Sequence, residues 1–290
     1  MKTTKFSNIR LLTLYVMIII AAGCERKELY THEEIYTGSV RLSLDWQTMS
    51  PTSQSMQVHI RGTHEGVTTD TLFQIPTGGD AVLPLLESDY TVTAWHEADN
   101  IHFDGTTFRV ETGSDGLLSE PSALSAATGT LRAEAGNDIR YVLKMRPQTR
   151  QFNLTLNINK GEPELVTGIT ALLSGIATAR HISDGVINES DTRGTSNPPG
   201  AGSGSMPLTF HCQGNALTTR HRLLGVSPYA QQLLTLTLHY AEGEPQTETY
   251  DLTRLLAGFN SFDTSDGTGA FTLSGNLSLD QRIEIGRAHV

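Results

Sequence analysis

Cys24 is the residue whose type and surroundings point most directly to covalent chemistry. It follows the small residues Ala21-Ala22-Gly23 and an apolar run from Leu11 to Ile20, and three positive charges precede that run. A charged start, a short apolar stretch and a small-residue cleavage site form a secretory signal. The run is too short to remain as a membrane-spanning helix, which needs about 20 apolar residues. We therefore expect residues 1–23 to be a signal peptide that is removed.

The sequence that ends at Cys24 resembles the lipobox of bacterial lipoproteins, whose cysteine is acylated and becomes the new N-terminus. Ala22 and Gly23 fit that pattern, whereas Ala21 stands where leucine is commonest. The resemblance implies a lipoprotein signal peptide and lipid attachment at Cys24, for example through palmitate. More than one acyl chain, at about 0.8 kcal/mol per buried CH₂, gives a stable anchor. The alternative is an ordinary signal peptide with a chance cysteine.

Cys212 is the second cysteine of the chain. With Cys24 lipidated, no internal disulfide can form. We expect Cys212 to be a small core residue, as unpaired cysteines often are. A reactive thiol, or a metal pair with His211, is the alternative. It is less favoured because adjacent side chains on a strand point to opposite faces.

The remaining polar motifs do not assemble a catalytic site. The glycine-rich stretch 200–204 lacks both the spacing of a dinucleotide fingerprint and a phosphate-loop lysine, so we interpret it as a linker. Residues 263–267 lack the calcium-loop spacing and are interpreted as a turn. Nucleophile-elbow and zinc-protease motifs are absent. The sequence therefore predicts a non-enzymatic protein without cofactor or metal, with solvent-facing or sheet-edge roles for the strand histidines His59, His96, His221 and His239.

Two tryptophans bear on carbohydrate binding, which commonly uses exposed aromatic faces. Trp46 shares the face of Val40, Leu42 and Leu44, so we expect it in the core. Trp95 lies opposite Val92 and Ala94, so it is either exposed or turned inward by a bulge. Trp95 is therefore the one candidate glycan contact.

The charge balance restricts the partners. The formal net charge is −10, and it becomes −13 without residues 1–23, which carry three positive charges and no negative ones. Nucleic acids and anionic bilayer faces select for basic patches. We therefore expect no nucleic-acid partner.

Hydrophobic alternation predicts an all-β protein. Val40 to Trp46, Met56 to Arg61 and Phe152 to Ile158 alternate apolar and polar residues with period two, as half-buried strands do. Short strands separated by turn residues favour a β-sandwich or barrel. Further strands are predicted at 69–75, 81–86, 89–96, 106–111, 139–145, 168–182, 206–212, 221–226, 233–240, 270–273 and 277–283.

The domain division follows from composition. Residues 24–37 are polar and aperiodic and indicate a tether. The sequence around Pro147 is typical of a hinge, which divides an N-terminal domain at 38–147 from a C-terminal domain at 148–284. Residues 117–128 are expected to hold one short helix or an irregular crossover, and residues 251–256 one or two helical turns. A flexible excursion is expected at 183–205. Residues 285–290 resemble a translated sequencing adapter, so we expect them to be non-native.

The order of these features resembles the lipoprotein anchors and minor subunits of type V fimbriae of Gram-negative bacteria. The carriers are the lipobox at Cys24, the strand beginning near Val40, the junction 145–150, and the segments 173–177, 223–225 and 251–256. The resemblance implies two tandem transthyretin-like β-sandwich domains and attachment to the outer membrane at the cell surface. It also implies partner subunits in the fimbrium that join by β-strand addition. The alternative function is a surface glycan-binding lipoprotein of a polysaccharide-uptake system.

Overall fold

The computed structural model describes residues 37–47, 49–183, 202–261, 269–279 and 284–289. Within these ranges the chain consists of β-strands, one short 3-10 turn and connecting loops, which confirms the predicted all-β class. These ranges contain no helix with the length and apolar character needed to cross a membrane.

The strands of the first half alternate between a buried and an exposed face. In β1, Val40 and Leu42 are fully buried while Arg41 between them is exposed. The strands are β1 (Thr37–Asp45), β2 (Ser55–His64), β3 (Val67–Pro76), β4 (Asp80–Leu86), β5 (Ser88–Trp95), β6 (Ile101–Phe103), β7 (Thr107–Val110), β8 (Ser125–Ala133), β9 (Asp138–Lys144) and β10 (Arg146–Pro147).

The second half repeats this alternation, for example at Phe152, Leu154 and Leu156, all of which are fully buried. Its elements are β11 (Arg150–Lys160), a 3-10 turn (Pro163–Leu165), β12 (Val166–Ala177), β13 (Ala179–His181), β14 (Ser203–Leu208), β15 (Phe210–Gln213), β16 (Ala216–Leu223), β17 (Leu233–Tyr240), β18 (Gln246–Asp251), β19 (Ala270–Ser278) and β20 (Glu284–His289).

Two sandwiches result, each with its own hydrophobic core. In the first, the sheet β4-β1-β9 faces the sheet β10-β8-β5-β2-β3 around residues such as Leu42, Met56 and Tyr90. In the second, β15-β16-β11-β19-β20 faces β14-β12-β17-β18 around residues such as Phe152 and Leu236. Burial of these apolar faces is the main stabilising contribution to each unit.

The two sandwiches have the same strand topology. In the first, β1 is antiparallel to β4 and parallel to β9, the last long strand of the unit. In the second, β11 is antiparallel to β16 and parallel to β19 in the same manner. The facing sheets also correspond, because the order β3-β2-β5-β8 matches β14-β12-β17-β18. The first strand of each unit therefore lies between two partners.

A small third sheet joins the two units. It has the order β13-β7-β6, so a strand of the second half pairs with two strands of the first. Phe108, Val110 and Leu118 of the first half pack into the second core. Glu120 accepts hydrogen bonds from the His221 ring, with Nδ1 to Oε2 at 2.6 Å, and from the Arg222 backbone N–H at 2.8 Å.

Several local expectations differ from the structure. Residues 117–124 contain no helix and form an irregular connection, one of the two expected alternatives, whereas residues 125–128 begin β8, which the sequence pattern did not reveal. At the expected hinge, Gln148, Thr149 and Arg150 are all at most 4% exposed, and Pro147 pairs with the edge of β8. A proline is tolerated there because β10 is the outermost strand. The segment 251–256, by contrast, contains one helical turn as the sequence pattern allowed, closed by a 2.9 Å bond from Leu256 N–H to Leu252 O.

Candidate functional site

β1 occupies the centre of the three-stranded sheet of the first sandwich. Residues 37–43 pair antiparallel with β4, and residues 39–45 pair parallel with β9. Removing β1 would leave a slot whose two walls present unpaired backbone groups. Such a slot is the kind of acceptor that an extended segment of another chain can complete.

The inward side chains of β1 are part of the first core. Val40 and Leu42 have no exposed surface, and Leu44 is 9% exposed. Arg41 points outward, where its Nη1 lies 3.7 Å from the Asp80 carboxylate and its side chain is 58% exposed. A protease could therefore reach the Arg41 side chain, but the backbone beside it is held by hydrogen bonds on both sides.

The N-terminal end of β1 is held closely. A Cβ at Gly38 would lie 2.2 Å from the Glu134 carbonyl oxygen, so only glycine fits there. Ser39 N–H donates to Asn137 O at 2.9 Å, and Gly136 N–H donates to Thr37 O at 3.0 Å. At the other end, Met145 N–H donates to Asp45 O at 2.9 Å. These bonds fix β1 beyond the ladder itself.

The two tryptophans occupy different places. Trp46 follows β1 and packs, half-buried, against the first core, where its indole nitrogen is buried without a hydrogen-bond partner. Trp95 ends β5 and packs, also half-buried, against the second core. Its ring lies 4.8 Å from that of Phe103 at an interplanar angle of 58°. Trp95 and Phe103 line a cleft of about 320 Å³ that also includes Glu97 and His102.

His96 is buried, which corrects the expectation of a solvent-facing or sheet-edge histidine. Only 5% of its surface is exposed. Its Nδ1 donates to Glu97 O at 2.8 Å, and its Nε2 accepts from Ser125 N–H at 3.1 Å and contacts Thr52 Oγ1 at 2.9 Å. These bonds require a neutral imidazole, because Nε2 must act as an acceptor. His96 therefore connects β8 to the loop before β2.

Cys212 is exposed, so the expectation of a core residue is wrong. It lies on β15, a four-residue strand at the sheet edge where three of the four residues are exposed. An edge strand packs against fewer neighbours than a central one, and its residue types therefore predict burial poorly.

The linker interpretation of residues 200–204 is wrong for its last residues. Ser203 and Gly204 belong to β14 and pair with Ala177 and Ile176. A Cβ at Gly204 would lie 2.7 Å from Leu118 Cγ, so the glycine allows the first half to approach closely.

Two sequence candidates lie outside the described residues. These are Cys24 and the stretch 263–267. Within the described residues, no group of three or more His, Cys, Asp or Glu side chains could hold a metal ion.

The outward side chains of β9 form a basic row that sequence reasoning did not single out. Arg140, Val142 and Lys144 are exposed and alternate with the inward residues Tyr141 and Leu143. Burial raises the pKa of the Tyr141 phenol. The apolar–polar alternation over residues 139–145 predicted a strand here, but alternation does not show whether a strand lies at the edge of its sheet.

Comparison with solved structures finds this fold at low sequence identity. The fimbrial anchor protein Mfa2 from Porphyromonas gingivalis has a TM-score of 0.59 at 13% identity, covering 87% of this chain and 96% of that one. A candidate adhesin from Bacteroides ovatus ATCC 8483 has a TM-score of 0.58 at 14% identity, covering 88% and 94%. A protein from Bacteroides thetaiotaomicron VPI-5482, described as a candidate polysaccharide-binding protein, has a TM-score of 0.57 at 9% identity, covering 87% and 97%.

No family model matches the chain, and no curated protein matches its sequence. The likeness therefore lies in the structure. The chain shares the fold of the fimbrial anchor protein Mfa2 and of these adhesin-type structures, which confirms at the level of the fold the resemblance drawn from the sequence.

Proposed function

We propose that this chain is a non-enzymatic outer-membrane lipoprotein that acts as an anchor or minor subunit of type V fimbriae. The observation that carries the proposal is the placement of β1 between β4 and β9, in a fold shared with a fimbrial anchor protein. Because β1 is hydrogen-bonded on both sides, a subunit can either keep this strand or exchange it for an extended segment of a partner. Backbone hydrogen bonds supply the affinity of such a joint, and alternate side-chain pockets supply its register.

An anchor differs from a polymerising subunit in keeping its own first strand. Here β1 contributes Val40 and Leu42 to the core, and its ends are fixed by bonds to Asn137 and Met145. Retaining β1 keeps the first sandwich closed, so the fibre ends at this chain. The lipid at Cys24 then holds that end at the outer membrane through the tether 24–37.

Gene deletion in a fimbriate strain tests the anchor role. Cells without this chain are expected to shed fibres or to carry overlong ones, because the fibre would lack its membrane-attached end. The measurement is the amount and length of fimbriae on cells and in the medium, by electron microscopy and immunoblot. Restoration by the wild-type gene supports the proposal, whereas deletion mutants with unchanged fibres contradict it.

The lipid anchor is tested by replacing Cys24 with alanine. We expect Cys24→Ala to move the protein from the membrane fraction to the soluble fraction, because the acyl chains supply the membrane affinity. Cys212→Ala is the matched control, since that thiol is exposed in the folded domain and its loss should change neither location nor folding. Retention of Cys24→Ala in the membrane would argue against lipidation.

A glycan-binding function is the second candidate. The supporting observations are the cleft beside Trp95 and the shared fold with a protein described as polysaccharide binding. Aromatic rings with polar groups at their rim suit sugar rings. If the chain binds glycans, isothermal titration against an oligosaccharide panel should show millimolar or tighter binding that Trp95→Ala abolishes. Tyr229→Ala removes an exposed aromatic that does not line the cleft and should leave this binding intact. Absence of heat with every oligosaccharide would remove this candidate.

A further inference from the structure

The two sandwiches differ at the edges of their equivalent sheets. In the second, β15 pairs with β16, so the central three strands are extended by a further strand at that edge. In the first, the equivalent strands β4 and β9 have no further partner within the described residues. The second sandwich thus shows how a further strand can pair at a sheet edge that is open in the first sandwich.

β9 is better suited than the edge strands β4 and β3 to receive a further strand. β4 contains Pro84, and proline removes a backbone donor. On β3, the outward Asp70 is already paired, with Oδ1 2.5 Å from His59 Nε2 and Oδ2 3.2 Å from Arg61 Nε. The hydrogen bond from His59 and the nearby Arg61 charge hold the pKa of Asp70 below its usual value.

The outward row of β9 carries unpaired positive charge. Arg140 and Lys144 flank Val142, which is 44% exposed, and neither cation forms an ion pair with a described residue. The neighbouring acids are Asp138, on β9 itself, and Asp45, the register partner of Lys144. The Asp45 carboxylate accepts the Gln47 N–H at 2.9 Å. A basic row is a distinct feature on a chain with a net charge of −10.

A small cavity lies beside this edge, where the two sheets of the first sandwich part. Its volume is about 180 Å³, and its lining combines apolar residues such as Ala126 and Leu143 with the polar residues Thr128, Lys144, Arg146 and Ser183. A strand added along β9 would point every second side chain toward this side of the sandwich and the others toward the basic row. On that inward side, Tyr141 and Leu143 of β9 belong to or pack against the first core and offer apolar contact to a small side chain.

We propose that the free edge of β9 binds an extended segment of a partner chain whose acidic and apolar side chains alternate. The segment lies antiparallel to β9, as β15 lies along β16, and its acidic side chains face Arg140 and Lys144. The same cations disfavour a second copy of β9 at this edge, because like charges would oppose each other. This inference rests on the strand addition of the proposed function. It places the added strand at the edge of β9 and not at the position of β1.

Peptide binding to the purified mature chain tests the edge. The probes are a fluorescein-labelled ten-residue peptide of alternating valine and glutamate, and the same peptide with lysine in place of glutamate. Anisotropy should show binding of the glutamate peptide, weakened about tenfold or more in the Arg140→Glu/Lys144→Glu variant, because two attractive pairs become repulsive. The lysine peptide should show the reverse preference. Lys160→Glu, on the second sandwich, is the matched control and should bind like the wild type.

Hydrogen exchange locates the bound peptide. Protection confined to residues 138–144 supports the proposal. Protection at β3 or β4, or binding of the glutamate peptide that survives the double charge reversal, overturns it. The anchor function is tested separately in cells. If the charge-reversed protein holds fimbriae as the wild type does while gene deletion sheds them, the anchor role stands and the β9 proposal fails.

Discussion

Replacing Leu42 with aspartate is expected to unfold the first sandwich. Leu42 has no exposed surface and lies at the centre of β1, so the substitution places an unpaired carboxylate in the core. The cost of burying such a group exceeds about 4 kcal/mol. The physical consequence is the loss of β1 from its position between β4 and β9. Trypsin should then cut at Arg41, which the intact sheet protects.

The neighbouring residue supplies the control for that experiment. Ser43 lies on the outward face of β1, so Ser43→Asp introduces the same charge one residue away without placing it in the core. Limited proteolysis followed by mass spectrometry compares the two variants with the wild type. Equal resistance of Leu42→Asp and Ser43→Asp to trypsin would contradict the inference that β1 is held by its buried side chains.

Replacing Gly175 with alanine is expected to destabilise the second sandwich by about 3 kcal/mol. Gly175 has φ +72°, where a Cβ is unfavourable, and an added Cβ would lie 2.3 Å from the Gln231 carbonyl oxygen. It lies in β12 where the pairing with β14 shifts register between Leu173 and Ile176. The bulge directs the chain toward the 227–232 loop, which is why backbone approaches backbone there.

Gly243→Ala separates the two contributions to that cost. Gly243 also has a positive φ, +101°, but no atom lies within 4 Å of its added Cβ. Its substitution should cost only the backbone term, about 1 kcal/mol. Urea unfolding monitored by circular dichroism gives both free energies. Equal losses for the two variants would show that the contact with Gln231 contributes nothing.

Sequence pattern located the strands that have one strongly apolar face. Val40, Leu42 and Leu44 in β1, like Phe152, Leu154 and Leu156 in β11, alternate so regularly that strand and buried face were both predictable. The pattern also placed two such units in tandem order. Pairing partners were not predictable, because the parallel contacts of β1 with β9 and of β11 with β19 join residues far apart in sequence.

Strand β8 was missed because its residues are small. Serine, alanine, threonine and glycine dominate Ser125–Ala133, and they give weak hydrophobic alternation. The structure explains why a small residue is needed at Gly129, because an added Cβ would lie 2.3 Å from the Tyr141 hydroxyl. Small residues that allow close packing contribute little to the apolar–polar alternation from which a strand is predicted. His96 and Cys212 were misplaced for a related reason, since their burial depends on tertiary neighbours that strand pattern does not encode.

Tertiary packing decides between the exposed and the inward position that the sequence left open for Trp95. The sequence left this residue either exposed or turned inward, and the structure makes it half-buried against Phe103 and the second core. The segment that covers it, residues 96–124, contains few strong strand signals. Its role in joining the two units became evident only from the pairing of β7 with β13.

We expect this chain to keep its first strand and to be held to the membrane by lipid. The most direct test is the intact mass of the mature protein purified from outer membranes together with its fibre. We expect a chain that begins at an acylated Cys24 and retains residues 37–45. A chain that begins with an unmodified thiol at Cys24, or one cut after Arg41, would contradict it.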